Sequence, residues 1–75
     1  MFIVYSKQNG KIKTVASGNN YKSIKDLFPA EYEDYELIYD CLNTDDDPLI
    51  LNNPSMFVIK NRNVVLNKNL NKYQE

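Results

Sequence analysis

Hydrophobic and polar positions alternate most clearly over "FIVYSKQNGKIKTVAS", where two β-prone runs flank Asn9-Gly10. Asparagine-glycine suits a two-residue type I′ turn, because both central residues of that turn need φ > 0. Such a turn pairs Gln8 with Lys11, Tyr5 with Thr14 and Ile3 with Ala16. One face then carries Ile3, Tyr5, Ile12, Thr14 and Ala16, and the other carries Phe2, Val4 and Val15. Apolar residues on both faces near Met1 predict that this end of the hairpin is covered from two sides.

Ser17 to Asn20 is turn chemistry. Ser23 is a good N-cap with Asp26 three residues on, and Ile24, Leu27 and Phe28 form a short apolar stripe. Pro29 disfavours a helical Phe28 yet fits the first turn of a new helix, which predicts helical turns over 23–28 and 29–34 with a break between. "DYELIYDCL" fits two periods. As helix, Phe28, Tyr32, Tyr35, Tyr39 and Leu42 make one stripe but Leu37 faces water. As strand, Tyr35, Leu37, Tyr39 and Cys41 share a face. The strand reading, over 36–42, supplies the two hairpins with a third partner and is preferred.

"TDDDPLILNNP" then reads as an acidic linker. Asn53 and Pro54 open a single turn through Met56. Phe57–Lys60 and Asn63–Leu66 are β-prone runs, with Asn63 suited to closing a three-residue loop. The pattern as a whole predicts an α+β fold: two β-hairpins plus a central strand in a mostly antiparallel sheet, with one or two short helices on one face. It forms a single small domain over 1–66, and the low-complexity stretch 67–75 is expected to be a flexible tail.

Composition changes this picture mainly by exclusion. Seventy-five residues bury only about 60–65% of the unfolded surface, so such domains lean on disulfides, metals or self-association. Cys41 is the only cysteine and there is no histidine, which removes an internal disulfide and a Cys/His metal site and leaves self-association. The lone cysteine, together with an opening "FIVYS" that lacks a basic region and a long apolar run, predicts a cytoplasmic protein, or a virion component made there, with no membrane partner. The formal charge is −1, but it is unevenly spread. Residues 1–25 carry five lysines and no acid, and residues 26–47 carry nine acids and no base. Such a dipole either neutralises itself within the fold or stacks head to tail in an assembly.

Candidate chemistry is sparse. A helix-loop-helix calcium site starting at Asn43 would place ligands at Asp45 and Asp47, but Pro48 stands at the required glycine and Pro54 at the required glutamate. General-base catalysis lacks a histidine, Cys41 has the acidic neighbour Asp40, and two glycines supply no phosphate-cradling loop. No enzymatic activity, cofactor or metal is therefore expected. Tyr32, Tyr35 and Tyr39 are the candidate partner-binding residues, since a tyrosine cluster makes a competent protein-contact patch where exposed. Lys7, Lys11 and Lys13, with Tyr5 and Tyr21 near, are the candidate nucleic-acid-binding residues of an alternative reading. A single arginine and the acidic middle weigh against that alternative.

The opening "MFIVYSKQNGKI", the middle "FPAEYEDYELIYD" and the closing "NNPSMFVIKNRNVVL" together resemble small uncharacterised, prophage-type proteins of low-GC Gram-positive bacteria, several of them encoded near tail-module genes. The asparagine and lysine bias fits an AT-rich source. The likeness spans about residues 1–66 and departs at Arg62, where a turn glycine would be expected. It implies no catalytic or binding residues. It implies a structural or accessory protein of phage or prophage origin, acting through contacts with a protein partner or with itself as a homo-oligomer. The alternative is a small regulatory nucleic-acid-binding module built on the basic N-terminal hairpin.

Overall fold

The computed structural model describes residues 1–18 and 20–67. Five strands and three short helices follow in the order β1 (Phe2–Ser6), β2 (Ile12–Ala16), α1 (Ile24–Leu27), α2 (Tyr32–Ile38), β3 (Tyr39–Asn43), α3 (Pro48–Asn52), a 3-10 turn (Pro54–Met56), β4 (Phe57–Lys60) and β5 (Asn63–Leu66). The fold is α+β, and every strand pair is antiparallel. The strands divide into a three-stranded sheet in the order β2-β1-β3 and a separate β4-β5 hairpin. The strand at the centre is thus β1, with β3 at an edge. A bridge between Lys11 and Val58 joins the two sheets, beside a 2.8 Å hydrogen bond from the Ile59 N–H to the Gly10 carbonyl. The expected tail falls, from residue 68 on, outside the described residues.

β1 is the buried middle of the molecule. Met1, Ile3 and Tyr5 pack on one side with Leu42, Ile50 and Ile59. Phe2 and Val4 pack on the other with Ile24 and a rim of aromatic residues from Tyr21 to Tyr39. Phe2, Ile3 and Val4 are wholly removed from water, as a strand covered on both faces requires. α1 and α2 cover the Phe2 face, while α3 and the β4-β5 hairpin cover the Ile3 face.

The two turns differ from expectation in opposite senses. The first hairpin closes through a four-residue loop, Lys7–Gly10, rather than a two-residue turn: the Ser6 N–H donates to the Lys11 carbonyl and the Gly10 N–H to the Ser6 carbonyl. Gly10 alone takes the left-handed region there, at φ 75°. The register becomes Phe2 to Ala16, Ile3 to Val15, Val4 to Thr14 and, after a bulge, Tyr5 to Ile12. Lys13 is the extra residue of that bulge, and the shift lets Ile12 and Val15, three apart in sequence, reach the same core. The second hairpin has the tight turn instead. Asn61 (φ 53°) and Arg62 (φ 63°) are both left-handed, and Lys60 pairs directly with Asn63, so no three-residue loop forms.

The helices also moved. Ser23 caps α1, where the Asp26 carboxylate accepts the Ser23 and Lys22 N–H groups at 3.2 and 2.9 Å. Pro29 lies in the break and not inside a helix. α2 begins at Tyr32 and runs to Ile38, so 36–38 is helix and only Tyr39–Asn43 is strand. Both periods of that segment are used in turn, at the cost of leaving Leu37 77% exposed. The acidic stretch is not a bare linker either. Asp47 accepts the Leu49 N–H at 3.0 Å and starts α3, with Pro48 in the first turn and Ile50 buried.

Candidate interaction surface

α2 brings the three expected tyrosines together. The Phe28 and Tyr35 rings meet edge to face at 5.0 Å, and Tyr35 meets Tyr39 at 5.3 Å. Tyr32, Tyr35 and Tyr39 are half-buried against the Phe2–Val4 core. Cations cover part of what remains: the Lys13 ammonium lies 5.9 Å from the Tyr35 and Tyr39 centroids, and that of Lys25 lies 5.0 Å from Tyr32. Their main work is packing.

The face of α2 opposite these rings is the open one. At about 100° per residue, Leu37 stands across the helix from the Tyr32–Tyr35–Tyr39 stripe, flanked by Glu33 and Asp34. Ile38 beside it is 54% exposed. Residues 31–38 carry Glu31, Glu33, Asp34 and Glu36 and no base. The helix end is held by the first hairpin's loop, where the Lys7 N–H donates to the Ile38 carbonyl at 3.0 Å and Lys7 Nζ donates to the Glu36 carbonyl at 2.8 Å. Both bonds satisfy carbonyls that the last helical turn leaves unpaired.

The three lysines of the alternative reading separate. Lys13 goes to the tyrosines, whereas Lys7 and Lys11 wall a groove of about 520 Å3 between the first hairpin's loop and the outer face of β4-β5. Val58 and Val65, paired across the second hairpin, form its apolar floor, and Lys60 joins the walls. No acid and no aromatic ring lines this groove among the described residues. Tyr5 and Tyr21, expected near the lysines, are committed elsewhere: Tyr5 is buried, and Tyr21 lies with its ring 6.0 Å from that of Phe2. Lys60, Val58 and Val65 went unremarked in the sequence. The alternation in "FVIK" and "NVVL" already placed Val58, Lys60 and Val65 on one outward face.

The aspartates of the acidic stretch are used one by one. Asp46 sits 2.8 Å from the Met1 ammonium and accepts the Gly18 N–H at 3.1 Å, and these two donors hold its carboxyl below the ordinary range. Asp47 caps α3, and Asp45 is exposed. Among the described residues no three Asp, Glu or Cys side chains converge on a metal position. Further along, Arg62 reaches the Asp40 carboxylate at 3.4 Å and the Cys41 carbonyl at 3.2 Å, and Tyr5 Oη donates to Asp40 at 3.3 Å. This set fastens the second hairpin to β3. Burial, and then the charge of Asp40, push the Cys41 thiol up, which lowers its reactive thiolate fraction. The same two causes raise the Tyr5 hydroxyl.

No family model, curated protein or solved structure matches this chain. Among the described residues no helix is long and apolar enough to cross a membrane.

Proposed function

We propose that the protein is a non-enzymatic accessory protein that acts through protein–protein contacts. The observation that carries this reading is the outer face of α2, where Leu37 and Ile38 stay in water on a helix whose other face is packed. A 75-residue domain has little apolar surface to spare, so large apolar side chains left outside the core favour a contact surface. The resemblance to small prophage-type proteins supports the same reading, with a phage or prophage assembly as the proposed setting. A photo-crosslinking residue at position 37, with position 45 as the exposed control, tests it in the producing cell. A protein adduct of defined stoichiometry from position 37 alone is expected, and equal labelling from both positions refutes it.

A nucleic-acid-binding module is the second reading, favoured by Lys7, Lys11 and Lys60 around an acid-free groove. That groove offers backbone-phosphate contacts but no ring for bases to stack on. Salt-sensitive retention on DNA, lost in Lys11→Glu/Lys60→Glu, would put this reading first.

A further inference from the structure

The outer face of α2 and the lysine groove are complementary in both charge and polarity. α2 presents an apolar ridge in Leu37, with Glu33 and Asp34 on either side of it and exposed Ile38 beyond Asp34. The groove presents an apolar floor, Val58 and Val65, framed by Lys7, Lys11 and Lys60. α2 itself contains no base, and no acid lines the groove among the described residues. We propose that the occupant of the groove is a second copy of this chain, whose α2 ridge seats Leu37 over Val58 and Val65 while Glu33 and Asp34 meet Lys11 and Lys60. This inference rests on the protein-contact reading above and names the partner.

Both patches touch the first hairpin's loop. Lys7 lines the groove and also binds the Ile38 and Glu36 carbonyls at the end of α2. Ile38 itself borders a second depression with Asn9, Lys11 and Lys13. Because the ridge and the groove belong to elements on opposite faces of the sheet, a ridge-to-groove contact is head to tail: each copy gives its ridge to one neighbour and receives another's in its groove.

Charge swapping tests this on the full chain. Patches of this size belong to the weak end of association, under about 1,200 Å2, so sedimentation equilibrium should run up to about 1 mM protein. The wild type is expected to exceed 8.8 kDa at low salt, with a mass that rises with concentration, and to dissociate as salt screens the charges. Glu33→Lys/Asp34→Lys and Lys11→Glu/Lys60→Glu change only exposed side chains, and each should be monomeric alone. Mixed in equal amounts they should recover the wild-type association, because every ridge can then face a groove of opposite sign. A wild-type monomer at about 1 mM, an association that both swaps leave intact, or a mixture that stays monomeric overturns the inference. A wild-type monomer that still gives a position-37 adduct with another protein would leave the contact reading standing, whereas loss of both removes it.

Discussion

Replacing Gly10 with alanine should destabilise the protein far more than the same change at Gly18, although both glycines have positive φ, 75° and 87°. The shared cost is the left-handed backbone, about 1–2 kcal/mol for an L residue. Only Gly10 has a second cost. A Cβ there would fall well inside contact distance of the Ile59 carbonyl oxygen, whereas nothing lies within 4 Å of one at Gly18. Because the obstacle is backbone, the β4-β5 hairpin must retreat, at the roughly 1–3 kcal/mol typical of overpacking. It also strains the 2.8 Å bond from the Ile59 N–H to the Gly10 carbonyl. Gly10→Ala should therefore cost about 2–5 kcal/mol and Gly18→Ala about 1–2. At roughly 0.05–0.15 kcal/mol per residue the whole domain has only about 4–11 kcal/mol. Urea unfolding followed by tyrosine fluorescence reads the difference, since the chain has six tyrosines and no tryptophan. With m near 1 kcal/mol per molar urea, the midpoints should lie about 1–3 M apart. Midpoints equal within about 0.5 M would mean that the second hairpin does not dock on the first hairpin's loop.

Ile50→Ala should cost about 2–4 kcal/mol by opening a cavity beneath α3, while Leu49→Ala, on the exposed side, should stay within about 0.5 kcal/mol. Equal effects in urea melts would reduce that segment to the linker its composition suggests. Asp46 has a depressed folded pKa, so its contribution to stability is complete above the unfolded value near 3.9 and is lost as pH falls through the lower folded value. Asp46→Asn should flatten the fall of wild-type stability below about pH 5 and change little of its slope near neutrality, as urea midpoints against pH will show. The Cys41 thiol, pushed up by burial and by Asp40, should react with a disulfide reagent at least about tenfold more slowly when folded than in urea. Equal rates would mean that the thiol is neither shielded nor raised.

Much of the secondary structure was legible because local chemistry and final environment agree. "FVIK" and "NVVL" became β4 and β5 at their predicted bounds, and the doubly apolar "FIVY" became a strand buried on both faces. Residues 36–38 show where local information ran out. Tyr32, Tyr35 and Tyr39 satisfy a helical and a strand period alike over part of their length, and the choice turns on where the backbone carbonyls find donors. Lys7 supplies two of those donors from 29 and 31 residues away, which no local window contains. The interaction surface was half legible for a similar reason. Lys7 and Lys11 stood out as lysines, but Lys60 joins them only once the second hairpin has docked.

Taken alone, the sequence determined the small α+β character, the two hairpins, the break at Pro29 and the separation of charge along the chain. These follow from side-chain period, turn chemistry and composition, all of them properties of near neighbours. The tertiary structure decided which hairpin received the tight turn, which residue bulged, and that an acidic stretch would carry a core isoleucine. It decided those because Gly10 must let the Ile59 backbone pass close by, Ile12 and Val15 must share one core, and Ile50 must cover β1. Each is a demand for space made by a residue distant in sequence.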